Sequence, residues 1–446
     1  MTRDSSAFVR YTHTPTRLYN RRTPMSSRSS SRFPAFASRN FRVFWVTQFV
    51  SLIGTWMQTT VQAYLAYRIS GQPIYLGLIG VASTLPTLLL TLPGGVWVER
   101  LDKRKVVIIM QTIMLIQAFV LAFLTLTGLV TIWWLIGLSF VLGAANAIEI
   151  TARQAMLSEL VDNKAALSNA IALQATGFNV ARVVGPSLAA PLLVLFANGE
   201  GWAFFANGVS YLVVILGLLS IHPTRAQPAE TNGPIRAGAL AQFREGQRYI
   251  RQTSLVALII FLAAVPGLLA FPVVQQIPAF ARDVLAQVGD TDKIVAARNS
   301  AKVTLQGVGA LIAAVFQILL SRYPRKGWLM LLGQFAFSAA LLGLAVSRSL
   351  ALTLPALMLF GWGTVMTLNN SNIVIQLVTP PELRGRVIST YLWSLQGIAP
   401  FGNLLVGTLA QQFGAPFAAL ACGLACVAIF VIVNLITPTM RRFAAA

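Results

Sequence analysis

The chain has 446 residues, of which 56% are hydrophobic and only 11% charged. Its mean hydropathy of +0.69 lies outside the range of soluble globular proteins. A net charge of +21 would suggest nucleic acid in a soluble protein; here Lys and Arg cluster between apolar runs, where they report orientation in a bilayer, and no nucleic-acid partner is expected.

Residues 1–42 are polar and basic and lack the apolar core of a signal peptide, so they read as a disordered cytoplasmic tail. Twelve apolar segments follow, near 43–67, 74–97, 105–127, 131–152, 166–197, 201–221, 255–281, 300–321, 327–346, 351–378, 385–411 and 415–436. Each approaches or exceeds the ~20 residues that a spanning helix needs. The longest connection, 222–254, contains "IRAGALAQFREGQRYIRQTS", amphipathic at helical spacing and suited to a membrane surface. It separates a first six-helix bundle, 43–221, from a second, 255–436, and 437–446 form a cytoplasmic tail.

With the N-terminus inside, 27 Lys and Arg fall on the inner side and six on the outer, with Arg182 left inside a span. That asymmetry and the even number of spans place both termini in the cytoplasm of a cell-membrane protein. A weak repeat supports two related halves: Leu160-Val161 and Gly185 match Leu377-Val378 and Gly402 at an offset of 217. Such halves commonly enclose a substrate site near midplane.

Span one carries Gln48, Ser51, Thr55, Gln58 and Gln62 on one helical face. They either line a substrate path or bond neighbouring helices, because polar groups do not face lipid. Between spans two and three, "ERLDKRK" (99–105) concentrates charge at the inner side. Gly95 permits close helix approach. Glu99 or Asp102 can meet a positive helix N-terminus, and Arg100 and Arg104 are placed to join an inner latch.

Ionisable residues inside spans are costly and usually functional. Glu149 lies near the inner edge of span four, and Arg182 is ~21–24 Å into span five at 1.5 Å per residue, so a direct pair is not expected. Glu149 matches Arg100 or Arg153, the latter at i,i+4. It is a latch partner, a proton-coupling group, or both; Asp283 is the second coupling candidate or a solvated loop acid. Arg182 either is held by polar neighbours such as Asn179 and Gln174 or attracts an anionic part of the substrate. Pro186 removes a backbone donor and bends span five. "NNSN" (369–372) lines an inner gate or bonds neighbouring helices.

Cys422 and Cys426 give no disulfide framework or zinc pattern. There is no GxxxxGK[ST] or HExxH, so neither ATP-driven pumping nor metalloprotease chemistry is expected.

The run Gly95, Glu99, Arg100, Asp102, Lys103, Arg104 and Lys105 resembles the signature loop of the major facilitator superfamily, with Glu99 where that family usually has Asp. "FRVFWVTQFVSLIGTWMQ", "NAIEITARQAMLSELV", "NVARVVGP" and "PPELRGRV" resemble the branch of enterobactin and drug exporters. Glu149, Thr151, Ala152, Arg153 and Gln154 stand where that branch often has Asp-x-Pro-Ala-Arg-Gln. "GPSLAAP" (185–191), beginning at Gly185-Pro186, is similar to its Gly-Pro motif in span five. The resemblance implies an all-α membrane fold of twelve helices in two six-helix bundles, and proton-coupled export of a small amphipathic compound by alternating access. An uncoupled lipid or metabolite carrier is the nearer alternative, and a transport-dead receptor or scaffold the more distant one. No enzyme activity, cofactor or metal is expected; the expected partners are a small-molecule substrate, a proton as coupling ion and the lipid bilayer around a monomer.

Overall fold

The computed structural model describes residues 33–157, 159–161, 164–221, 239–320, 323–380 and 382–437; at 92, 93, 95, 96, 99, 100, 164, 165 and 239–243 it describes the backbone alone. Most of the expected tails and the residues 222–238 of the long connection lie outside the described residues. A short 3₁₀ turn, Pro34–Ala37, precedes helix α1, Arg39–Ser70. The helix starts four residues before the expected span because Ser38 caps it, its Oγ accepting from the Phe41 N–H at 3.3 Å. Gly71 ends it in the left-handed region, φ 63°. Pro73 then opens α2, Pro73–Arg100, where its missing N–H costs nothing.

The first half continues with α3, Lys103–Leu126; α4, Ile132–Leu157; α5, Lys164–Leu195; and α6, Gly199–Ser220. The connecting helix α7 is Ala239–Gln252. Span seven is broken into α8, Ser254–Val265; α9, Phe271–Gln275; and α10, Ile277–Ala279, with π turns at Pro266–Ala270 and Phe280–Val284. Pro266, Pro272 and Pro278 remove donors at regular intervals, which accounts for the breaks. Next come α11, Asp292–Leu319; α12, Lys326–Val346; and α13, Leu350–Val378. Span eleven divides at Ile398 into α14, Arg384–Gly397, and α15, Ala399–Phe413, two residues before Pro400; α16, Ala415–Ile436, completes the fold. Ten helical stretches among the described residues meet the length and hydropathy of a membrane span. The polar stripe of α1 and the break in span eleven distinguish the other two.

Two corrections follow. The helix α2 runs through Glu99 and Arg100, so the expected charged loop shrinks to Leu101 and Asp102. The helix α11 starts eight residues before its expected span, so Lys302, counted above as an outer-side charge, stands ten residues inside a helix and is 0% exposed. The polar text "DTDKIVAARN" (290–299) had disguised the start of the helix as a loop, and Lys302, at the edge of the expected span, was counted with the outer charges.

Packing repeats between the halves. In the first, α2 packs on α4, α3 on α4 and α3 on α6; in the second, the helices six spans later do the same, α11 on α13, α12 on α13 and α12 on α16. The halves meet through α5 against α11 and α2 against α15, again equivalent pairs. Small residues allow this approach: a Cβ on Gly77 would lie 2.5 Å from the Asn403 carbonyl oxygen and 3.1 Å from the Gly407 Cα.

The outer surface suits lipid. Along α3, Ile109, Ile116 and Phe123 recur every seven residues on one exposed face. Exposed Trp133, Trp134 and Trp202 stand at the ends of helices on the distal face, and Trp97 and Trp328 on the opposite, terminal face where α1 begins and α16 ends. The helix α7 docks on the terminal face of the second half. Its Tyr249 hydroxyl donates to the Val378 carbonyl at 3.1 Å, Gln247 bonds Thr390, and Glu245 pairs with Arg386.

Candidate transport site

Among the described residues, the hydrogen bonds that cross between the halves lie toward the distal face. The Tyr64 hydroxyl donates to the Asp292 carbonyl at 2.8 Å, and the Tyr67 hydroxyl donates to the Asp283 carboxylate. Asp283 is therefore bonded across the interface while it stays exposed. Ser187 and Thr304 meet at 3.2 Å between α5 and α11, and the Ile74 N–H donates to Gln411 at 3.3 Å between α2 and α15. The distal face is closed by these contacts.

Toward the terminal face, the second half contains an open cavity of about 680 Å³ between α11, α12, α13 and α14. Ile318, Leu368, Leu392 and Leu395 supply apolar wall, and the amides of Gln317, Asn369 and Asn372 supply hydrogen bonding. This size and mixture suit a small amphipathic molecule. Lys326 also borders it, its ammonium donating to the Leu320 carbonyl at 2.9 Å. The "NNSN" run divides by helical geometry: Asn369 and Asn372 face the cavity, whereas Asn370 and Ser371 are buried and bond the carbonyls of Met366 and Thr367.

The stripe on α1 is placed differently from a cavity wall. Gln58 is 0% exposed and Gln62 3%. Gln58 donates to Gln117 on α3 at 3.1 Å and accepts from Asn207 on α6 at 2.7 Å. Gln62 donates to the Ser139 hydroxyl on α4 at 2.6 Å, and Thr55 meets the Tyr211 hydroxyl at 3.1 Å. In this conformation Thr55, Gln58 and Gln62 hold four helices of the first half together, the second of the two readings of the stripe. Ser51 is also buried. Gln48 differs, because its Oε1 has no partner and borders a crevice of about 10 Å³ shared with Arg153 and Gln174.

Glu149, 2% exposed, is paired with Arg153: Nε lies 3.1 Å from Oε1. Gln111 adds a longer bond at 3.4 Å. The i,i+4 spacing makes this pair on α4 itself, so the carboxylate keeps a counter-charge without help from another half. Asp102 caps its own helix α3, accepting from the Lys105 N–H at 3.2 Å, instead of meeting a facing helix. Arg104 donates to the last carbonyls of α6, Leu218 at 2.8 Å and Leu219 at 2.9 Å. Lys103 pairs with Glu159 at 2.7 Å. All these contacts stay within the first half; the side chains at Gly95, Glu99 and Arg100 lie outside the described residues.

Arg182 is half-buried with its guanidinium 5.6 Å from the Trp56 ring centroid, a cation–π contact, and no carboxylate lies within 4 Å of it among the described residues. Asn179 donates to the Ala175 carbonyl of its own helix. Gly185 seats α5 on α1, since a Cβ there would lie 2.7 Å from the Ile53 carbonyl oxygen. The helix continues through Pro186 and Pro191 to Leu195.

Sequence reasoning missed Tyr64 and Tyr67, whose roles depend on the opposite half, and Asn207 and Gln117, which complete the α1 network. It also missed Lys302. The signal for Lys302 was present: Val295, Asn299, Lys302 and Gln306 share the spacing of one helix face.

Comparison with known proteins agrees with this architecture. The multidrug efflux pump Tap of Mycolicibacterium fortuitum is 24% identical over 79% of this chain and 84% of its own length. The enterobactin exporter EntS of Shigella flexneri is 25% identical over 90% of this chain and 93% of its own. The crystal structure of the nucleoside transporter NupG superposes with a TM-score of 0.69 at 13% identity, covering 88% of this chain and 98% of that one, and so shares its fold. The profile of the transmembrane secretion effectors matches residues 30–445. Two repeated six-helix halves, closed at one face and hollow toward the other, thus belong to a small-molecule transporter and not to an enzyme: the chain is a member of the transmembrane secretion effector family of the major facilitator superfamily.

Proposed function

We propose that this transporter is a proton-coupled exporter of a small amphipathic compound, drug-like or siderophore-like, working by alternating access in the cell membrane. The observation that carries the reading is the asymmetry between a distal face bonded shut across the halves and an amide-lined apolar cavity near the terminal face. A compound loads from the terminal side, the halves rock, and the Tyr64 and Tyr67 contacts break to release it distally. The excess of Lys and Arg on the terminal side supports cytoplasmic termini, with bundles at 43–221 and 255–436. The names of the drug pump and the enterobactin exporter support the substrate class.

In this cycle Gln317, Asn369 and Asn372 orient polar groups of the compound, and Arg182 attracts an anionic portion across the interface. Gly95, Glu99 and Arg100 govern the inner latch, Asp102 fixes the start of α3 beside them, and the Glu149–Arg153 pair steadies α4. Reconstitution in liposomes tests the reading. With an imposed pH gradient, amphipathic dyes such as ethidium are expected to move together with protons; compound flux without proton movement leaves an uncoupled carrier. Absence of flux for every compound overturns the export reading. Glu149→Gln separates latch from coupling: coupled flux at a reduced rate marks a latch, and compound flux stripped of protons marks the coupling group.

A further inference from the structure

The second half buries a cation that no protein anion balances. Lys302 is 0% exposed, and among the described residues its Nζ has no hydrogen-bond partner and no carboxylate within 4 Å. Three residues earlier, one turn along the same face, Asn299 is 1% exposed with both amide atoms unbonded. This face packs on α13, where Gly361 receives the Gln306 carbonyl and Gly309 receives that of Met358, so the lysine sits in a tight contact between helices.

The charged groups around it are accounted for. On α13 there is no ionisable residue at all, nor on α10. In the adjoining π turn, Arg282 pairs with Asp292 at 3.7 Å and Asp283 accepts from Tyr67. On α11 itself Arg298 pairs with Asp290, and Lys293 is exposed. The ionisable groups of α5 are Lys164 and Arg182; those of α1 are Arg39, Arg42, Tyr64, Tyr67 and Arg68, and Arg68 pairs with Glu200 at 3.0 Å. The remaining carboxylate of the second half, Glu382, lies beyond the far end of α13. Burying an ammonium without a counter-charge is costly, whereas the neutral amine escapes most of that cost.

We propose that Lys302 is the group that carries the coupling proton, an inference resting on the proton-coupled reading above. With the distal face closed, Lys302 is held as an amine. Opening moves α11 away from α5 and α1 and loosens it on α13, admitting water to the turn Asn299–Lys302, where Nζ takes a proton from distal water and becomes an ammonium. Closing the distal face buries it again, and the proton passes to water on the terminal side; no other bond changes. Glu149, already neutralised by Arg153, is spared this work.

The test needs no transported compound. Spin labels at Gln72→Cys and Gln287→Cys, in a chain with Cys422 and Cys426 replaced by Ser, report distances across the distal face as pH is varied. The wild-type background is expected to open as pH falls, its open-to-closed ratio rising by up to about tenfold per pH unit, the limit for one proton. Lys302→Met should stay closed and lose this dependence, Lys302→Arg should favour the open form at every pH, and Glu149→Gln should keep the dependence on pH. Lys302→Met should melt no lower than wild type, because it removes a buried amine that has no hydrogen-bond partner. A pH dependence that survives Lys302→Met, its absence from the wild type, or a lower melting temperature for Lys302→Met overturns the assignment. If liposome flux is nonetheless proton-coupled, only this residue's role has failed; if flux is uncoupled, the broader reading has failed with it.

Discussion

The two halves share one packing plan yet differ in how fully their buried polar groups are bonded: among the described residues, single atoms of Gln48, Gln111, Gln117 and Gln174 lack partners in the first, whole side-chain ends in the second. In the first, Gln58, Gln62, Asn207 and the Glu149–Arg153 pair answer one another across α1, α3, α4 and α6. In the second, Lys302, Asn299, Gln276 and Gln334 are as deeply buried, yet the lysine amine and the amide atoms of the other three have no partners. Satisfied networks rigidify, and unsatisfied buried groups are tolerated where a conformational change or a ligand completes them. The contrast separates a stiff half from a half that holds the cavity and the unpaired lysine.

The contrast can be broken by substitution. The largest effect is expected from Arg153→Ala, which strands the Glu149 carboxylate and should cost about 3–5 kcal/mol of stability. Thermal unfolding in detergent checks it, and adding Glu149→Gln should restore much of the loss. Next, Gln58→Leu leaves Asn207 and Gln117 unanswered and should cost about 1–3 kcal/mol. Gln334→Leu in the second half should be neutral or stabilising; equal losses at the two positions would erase the distinction. Smaller still, Tyr67→Phe removes one bond across the distal face, worth about 0.5–1.5 kcal/mol, and should raise the open population by about twofold to tenfold in the same spin-label measurement. Cysteine substitutions with no expected change in stability sharpen the picture: Asn372→Cys should react with a polar thiol reagent, while Gln58→Cys and Gln62→Cys stay protected. Labelling at the latter two would return the α1 stripe to the substrate path.

Much of this was legible from the chain. Twelve apolar runs set the crossings, and the Glu149–Arg153 pair follows from i,i+4 spacing on one helix. The stripe on α1 was legible as a face, but periodicity does not say what a face meets. Its partners Gln117, Ser139 and Asn207 come from three other helices, so a network and a cavity wall look alike in sequence. Tyr67 and Asp283 are 216 positions apart, and only the docking of the halves joins them. Lys302 was hidden for a different reason: the first turns of α11 are polar enough to read as loop, which put the lysine at the edge of the expected span instead of ten residues inside a helix. Asn369 and Asn372 were recognised as a cluster, but the division of their run between cavity and packing depends on helix rotation against α12 and α14.

The most direct test of alternating access is a cross-link at the distal contact. Ile74→Cys and Gln411→Cys, in the background lacking Cys422 and Cys426, join α2 to α15 where the Ile74 N–H now meets Gln411. The account predicts that oxidation of this pair stops ethidium flux in liposomes and that reduction restores it. An oxidised pair that carries ethidium at the reduced rate would contradict it, because the distal face could then not be the gate.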